Sequence, residues 1–153
     1  MVGCSSTDHG TAEPAPALSP ISSPVSVALQ QQNAKLLASA AAALAAGDAA
    51  GALQLYKQID PTALTDDRRL GYFLDRADAA LQEGDLLLAR ELLSNPELQA
   101  RHQELGADAQ RRWLGLRGEL FGLLGDTGSS VAAYTELTTV LTDPEERHEI
   151  ERA

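Results

Sequence analysis

Three Gly-Asp pairs divide the chain into segments whose small and large side chains recur in the same order. The pairs are Gly47-Asp48, Gly84-Asp85 and Gly125-Asp126, and each follows one helix-like segment and precedes another. Glycine readily takes the left-handed conformation that closes a helix, and aspartate accepts hydrogen bonds from the free amides that open the next one. Each pair is therefore predicted to form a compact joint between two helices.

Alignment of the segments on these glycines places small residues where two helices would cross. Positions seven before and five after the glycine hold Ala40, Ala77, Gly118, Ala52, Ala89 and Ser130. Positions eleven before and nine after it hold the larger residues Leu36, Phe73, Leu114, Tyr56, Leu93 and Tyr134. The chain is also rich in Ala, Leu, Glu, Gln and Arg, which lose little rotamer freedom in a helix. We therefore expect an all-α fold.

This order of small and large positions resembles the tetratricopeptide repeat. The resemblance implies three tetratricopeptide-like helical hairpins, stacked as a short right-handed solenoid. The hairpins would run from about Asn33 to Leu141, within a domain at residues 33–153. The Gly-Asp pairs lie farther apart than the family's period of about 34 residues. The extra residues fall around 61–67 and 95–108.

Capping residues predict where further helices begin. Thr65 with the following acids opens a helix that runs to Glu83, and Asn95 precedes a proline at a first helical position. Asp143 and Pro144 repeat this arrangement, but the helix that they would open is cut short at Ala153. We therefore expect the helical domain to be truncated at its C-terminal end.

The first residues resemble the lipobox of bacterial lipoproteins, in which an aliphatic and a small residue precede a cysteine. The resemblance implies lipidation of Cys4, and Ser5 fits the pattern of lipoproteins sorted to the outer membrane. Residues 1–32 hold four of the seven prolines and no Lys or Arg, which predicts a disordered tether. The basic and apolar regions of a signal peptide are missing before Cys4, so an unmodified surface thiol is the alternative.

Composition narrows the function. The net charge of −10 argues against nucleic acid, since phosphate binding requires clustered Lys and Arg. The histidines His9, His102 and His148 have no second His or Cys at ligand spacing, so we expect no metal. No catalytic set of residues and no phosphate-binding loop is found. We therefore expect no enzyme, no cofactor and no small-molecule substrate.

The aromatic residues offer candidates for a binding surface. Phe73, Tyr56 and Tyr134 occupy repeat positions, and core packing is their default role. Tyr72 and Trp113 lie just beside such positions. We name Tyr72 and Trp113 as the candidate partner-binding surface, on the concave face where helical repeats bind peptides.

Several short motifs carry a second resemblance. They are Leu36-Leu37-Ala38, Leu44-Ala45-Ala46-Gly47-Asp48, Arg76-Ala77, Gly84-Asp85, Ala89-Arg90-Glu91-Leu92-Leu93, Arg117-Gly118-Glu119-Leu120 and Leu141-Thr142-Asp143-Pro144-Glu145-Glu146-Arg147. These motifs are similar to the amino-terminal domain of the LpoA family, outer-membrane lipoproteins that activate class A penicillin-binding proteins. The resemblance implies that this chain holds the anchor, the tether and the spacer domain.

This second resemblance also implies a place and a partner. The chain would sit on the periplasmic side of the outer membrane, held by lipid at Cys4, and would support peptidoglycan synthesis through protein–protein contact. Its partner would be a class A penicillin-binding protein or another cell-envelope protein. Two alternatives stay open: another tetratricopeptide lipoprotein, acting in outer-membrane assembly or as a scaffold for cell-wall hydrolases, and a cytosolic tetratricopeptide adaptor.

Overall fold

The computed structural model describes residues 24–101 and 106–141, with side chains for 27–101 and 106–140. Over these residues the regular structure is helical, which confirms the predicted all-α class. The helices are α1 (Pro24–Ala45), α2 (Ala49–Tyr56), α3 (Asp66–Glu83), α4 (Leu86–Leu93), α5 (Pro96–Arg101), α6 (Ala107–Leu123) and α7 (Thr127–Leu141). A short 3₁₀ turn, Pro61–Ala63, precedes α3.

All three Gly-Asp pairs form the predicted joint. Gly47, Gly84 and Gly125 have φ angles of 81°, 82° and 76°, in the left-handed region. At the central joint the Gly84 amide donates to the carbonyl of Leu81, and the Asp85 amide donates to the carbonyl of Ala80. The same two bonds recur at the other joints, so each helix ends in a Schellman motif.

The aspartate of each joint caps the helix that follows. The Asp48 carboxylate accepts from the Gly51 amide at 2.8 Å, that of Asp85 from Leu88 at 3.1 Å, and that of Asp126 from the amide of Ser129 at 3.1 Å. One short sequence thus satisfies backbone groups at the end of one helix and the start of the next. Hydrogen bonds from the Ser129 hydroxyl and amide lower the pKa of Asp126.

The helices joined in this way pack on each other. The described helices make three contacting pairs, α1 with α2, α3 with α4, and α6 with α7. Neighbouring pairs also touch, since α2 contacts α3 and α6 contacts both α3 and α4. The pairs therefore follow one another in chain order around one continuous core.

The small residues of the alignment lie at the centre of these contacts. Ala40, Ala52, Ala77 and Ala89 are completely buried. In the third pair the Ser130 hydroxyl donates to the Gly118 carbonyl at 2.8 Å, so the two aligned positions are in direct contact. A Cβ atom added at Gly118 would collide with the Tyr134 ring near its Cζ atom. Small residues here allow the two backbones to approach closely.

Larger side chains fill the space between the pairs. The Tyr56 and Tyr72 rings meet edge to face with centroids 5.8 Å apart, and Phe73 lies 5.5 Å from Tyr72. Leu114 and Leu93 are also buried, whereas Tyr134 is 44% exposed, so the core role predicted for it is wrong. Burial of a side chain of this size stabilises a fold by about 1.5–3 kcal/mol, so this layer supplies much of the force that holds the pairs together.

The extra residues between the pairs form ordered connections. The Asn95 side chain accepts from the Glu97 amide at 2.9 Å, which confirms the predicted cap of α5. Glu97 also accepts from Arg69 of α3 at 2.9 Å, and Leu98 is completely buried. The expectation for Thr65 is only partly right, because it precedes α3 but its side chain accepts no capping hydrogen bond.

The boundary at residue 32 needs correction. Residues 24–32, assigned to the tether, belong to α1. Proline is tolerated in the first turn of a helix, and residues 25–32 contain neither Gly nor Pro to interrupt it. The Asn33 side chain is buried and donates to the Asp60 carbonyl at 3.2 Å, which fixes α1 to the turn before α3.

Several predictions fall outside the described residues. These are the lipobox and lipidation of Cys4, the tether over residues 1–23, His102, and the last helix with its truncation. They stay predictions.

Substitution of the central joint glycine should destabilise the fold. Gly84→Ala forces a Cβ into the left-handed region and should lower the free energy of unfolding by about 1–2 kcal/mol, measured by urea denaturation. The control is Gly115→Ala, within α6, where the added methyl group meets open space. Alanine is favoured in a helix interior, so this control should gain up to about 1 kcal/mol. Equal effects of the two substitutions would contradict the joint.

The cap at Asp126 should be visible in its titration. Removal of the hydroxyl in Ser129→Ala should raise the pKa of Asp126 towards its ordinary value, as followed by carboxyl-carbon NMR. Because the folded-state pKa is lowered, the ionised cap stabilises the fold above about pH 4 and this contribution is lost as the pH falls through the folded-state value. An unchanged pKa in Ser129→Ala would show that the hydroxyl has no part in the cap.

Candidate protein-binding trough

The structure places Tyr72 and Trp113, which were assigned to a partner-binding surface, in the core and not on an exposed face. Only 2% of Tyr72 and 3% of Trp113 is exposed. The Tyr72 hydroxyl donates to the Tyr56 carbonyl at 3.3 Å and accepts from Arg76 at 2.8 Å, while the Arg117 guanidinium lies over the Trp113 ring at 4.5 Å. The buried face of each helix is wider than one aligned position, so residues beside a core position join the core.

An accessible depression lies along α1 and α3, and Tyr72 lines part of it. Three cavities of about 290, 400 and 320 Å³ adjoin each other there. The first two share Arg68, and the second and third share Ala41 and Asp75. Together they form one elongated depression, which we call the α1–α3 trough.

The α1 side of this trough is apolar and shallow. Along the second and third cavities it is formed by Ala34, Leu37, Ala38, Ala41, Leu44 and Ala45. The alanines recur at helical spacing along one face, and their methyl groups leave the backbone of α1 close to the surface. The run of alanines in the sequence was a signal for this apolar face, because it offers more apolar positions than packing against α2 requires.

The α3 side is polar. Arg68, Gly71, Tyr72, Asp75, Asp78 and Gln82 line it, and Arg112 of α6 closes one end. Asp75, Asp78 and Gln82 recur at helical spacing, so they share one face of α3. We did not predict this face, because a row of Asp and Gln on a helix is also typical of ordinary solvated surface.

Arg112 joins α6 to α3 through two carboxylates. Its guanidinium donates to Asp75 and, at 2.8 Å, to Asp78. Gln82 donates its amide to the other oxygen of Asp78 at 2.9 Å. Burial alone would lower the pKa of Arg112, but the hydrogen bonds to Asp78 and Asp75 raise it overall. Two carboxylates and one guanidinium leave this end of the trough with one net negative charge.

Tyr56 lies at the floor of the same end. We call the cavity there, about 320 Å³, the Tyr56 cavity. The tyrosine is completely buried, and its hydroxyl has no hydrogen-bond partner among the described residues. Burial raises the pKa of Tyr56, and the charge of Asp75 raises it further. The hydroxyl therefore stays protonated and faces charged groups without bonding to them.

Arg68 lies between the first and second cavities. Its side chain is exposed and, within the described part of the chain, forms no ion pair or hydrogen bond. The trough thus carries a cation between its first two cavities and a net anionic group at the third, with an alanine-lined side along the second and third cavities.

The described residues contain no cluster of three or more His, Cys, Asp or Glu side chains that could hold a metal ion. Over the same residues, none of the helices combines the length and the apolar character needed to cross a membrane. Comparison with protein-family models, curated protein sequences and solved structures finds no match to this chain.

Loss of the Arg112 bridge should destabilise the protein. Arg112→Met leaves Asp75 and Asp78 partly buried without a counter-ion and should cost about 1–2 kcal/mol in urea denaturation. The difference should shrink in 1 M NaCl, because salt screens the repulsion that remains.

The matched control for this bridge is Arg90→Met. Arg90 is exposed on α4 and forms no ion pair in the described residues. Its loss should change the stability by less than about 0.5 kcal/mol. If both variants unfold at the same urea concentration as the wild type, the bridge has no stabilising role.

Proposed function

We propose that this protein is a protein-binding scaffold that holds a segment of a partner in the α1–α3 trough. In this proposal the three helix pairs are tetratricopeptide-like hairpins stacked as a short right-handed solenoid. The observation that carries it is the repeated joint, in which the same glycine conformation and the same hydrogen bonds recur at Gly47, Gly84 and Gly125. Stacked repeats use the surface formed by equivalent helices as their binding face. Here α1, α3 and α6 are the first helices of the three pairs, and all three line the trough.

The shape of the trough favours a polypeptide over a small molecule. Each cavity alone is at or near the lower end of the size range of small-ligand pockets, about 300–1,000 Å³. Because the three adjoin, the surface is long and shallow instead of deep. A shallow surface buries little of a compact ligand but can contact a segment along its length. Binding, and not catalysis, is the role that this geometry supports.

For the cellular role we propose an outer-membrane lipoprotein that supports a class A penicillin-binding protein. The support is the likeness of the short motifs to the LpoA family and of the start of the chain to a lipobox. The lipid at Cys4 would hold the helical domain at the periplasmic face of the outer membrane. A cytosolic adaptor is the rival proposal, since the trough lies within residues 30–112 and does not depend on Cys4.

A periplasmic pull-down with the lipidated protein tests both parts. We expect it to recover a class A penicillin-binding protein. Cys4→Ser should release the protein from the membrane fraction, but the purified variant should still bind the partner. Recovery of other proteins but no cell-wall synthase would contradict the cell-wall role.

Two neighbouring alanines of α1 test the trough itself. Ala41→Arg places a long side chain in the trough and should lower recovery of the partner at least about tenfold, since it blocks the contact surface. Ala42 is exposed on the same helix and does not line the trough, so Ala42→Arg should bind normally. Equal binding by the two variants, with unchanged circular dichroism, would rule out the trough as the binding surface.

A further inference from the structure

We propose that the Tyr56 cavity binds a primary ammonium group, the side chain of a lysine in the bound segment. This inference rests on the proposed function in one respect, that the α1–α3 trough receives a polypeptide. The cavity itself is defined by the described residues, independently of which partner supplies the lysine.

The strongest indication is the Tyr56 hydroxyl. Buried polar groups in native proteins are nearly always hydrogen-bonded, and an exception calls for an explanation. The Tyr72 hydroxyl, in ring contact with Tyr56, is satisfied by Arg76 and by a backbone carbonyl. Tyr56 has no such partner, and the charges that act on it are those of Asp75, Arg112 and Asp78, which line the same cavity. A ligand in the cavity would supply the missing bond.

Apart from the O–H donor of Tyr56 itself, the remaining bonding capacity that lines the cavity consists of acceptors. Arg112 occupies one oxygen of Asp75, which leaves the second oxygen able to accept. Gln82 spends its NH₂ group on Asp78, so its carbonyl oxygen can accept as well. The Tyr56 oxygen is the third acceptor. An ammonium group has three donors and no acceptor, which matches this set.

Charge and shape select among ligands. Asp75, Asp78 and Arg112 together carry one negative charge, so a single cation neutralises the cavity and a carboxylate would be repelled. Arg112 already occupies the planar, paired geometry that a guanidinium prefers, while three separate oxygens suit a compact point charge. Ala41, Leu44 and Ala45 line the opposite side and can cover the four-carbon stem of a lysine.

The test uses n-butylammonium, which reproduces a lysine side chain without the rest of the partner. The full chain is titrated at pH 7, and the methyl signals of Ala41, Leu44 and Ala45 are followed by NMR. We expect saturable shifts with a dissociation constant on the order of 10 mM, as befits a ligand with five heavy atoms. The neutral analogue n-butanol and the anion butyrate should not saturate these signals.

Variants then test whether the three acceptors bind the probe, as opposed to a general attraction of cations to an acidic protein. Tyr56→Phe removes only the unpartnered hydroxyl and should weaken n-butylammonium binding about fivefold or more, and Asp75→Asn should weaken it further. Arg90→Gln, on α4 and outside the α1–α3 trough, should leave the dissociation constant unchanged.

Several results would overturn the proposal. They are an absence of saturable shifts up to 100 mM, equal binding of n-butanol, tighter binding of n-butylguanidinium, and an unchanged dissociation constant in Tyr56→Phe. Because the probe needs no partner protein, these results are distinct from failure of the pull-down, which bears on the proposed function alone.

Discussion

The left-handed glycine at each Gly-Asp joint is the constraint on which the other features of this protein depend. It reverses the chain within two residues, and the bonds around it satisfy the backbone at the end of one helix and the start of the next. The dependence is clearest for α2 and α4, which span eight residues each. Helices of this length are marginal in water by themselves. They persist here because the joint aligns them with α1 and α3 and because their apolar faces are buried.

The joint also determines which residues must be small. Once a glycine fixes two helices side by side, positions at set distances from it lie where the backbones approach most closely. Alanine fills these positions in the first two pairs, and Gly118 with Ser130 fills them in the third. The same preference for alanine continues onto the open face of α1, where it produces a shallow surface. Close packing within the first pair and the α1 side of the α1–α3 trough thus have one cause, the small side chains of α1.

Local chemistry made part of this structure predictable from the sequence. The joints, the aligned small residues, the limits of α3 and the cap of α5 depend on residues within a few positions of each other, and these predictions are confirmed. The early start of α1 was missed because prolines before it suggested an extended chain, while Pro24 fits a first helical turn. The burial of Tyr72 and Trp113 was missed because the alignment marks single positions, whereas a helix buries a face.

Beyond the alanine face of α1, the α1–α3 trough could not be predicted, because it depends on residues far apart in the chain. Arg112 meets Asp75 and Asp78 only when α6 packs on α3, and nothing in their separate neighbourhoods indicates this. The unpartnered hydroxyl of Tyr56 is a property of the packed structure in the same way. A tyrosine at an aligned position predicts a core residue, which Tyr56 is, but not the state of its hydroxyl group.

Native-state hydrogen exchange at the Asp85 amide tests the central claim most directly. This amide donates to the Ala80 carbonyl at 2.8 Å, on an exposed residue between two helices. If the joint holds the pairs together, it opens only when α3 and α4 unfold, and the amide should exchange with a free energy within about 1 kcal/mol of those in the interior of α3. Exchange as fast as in an exposed turn, while α3 remains protected, would contradict the account.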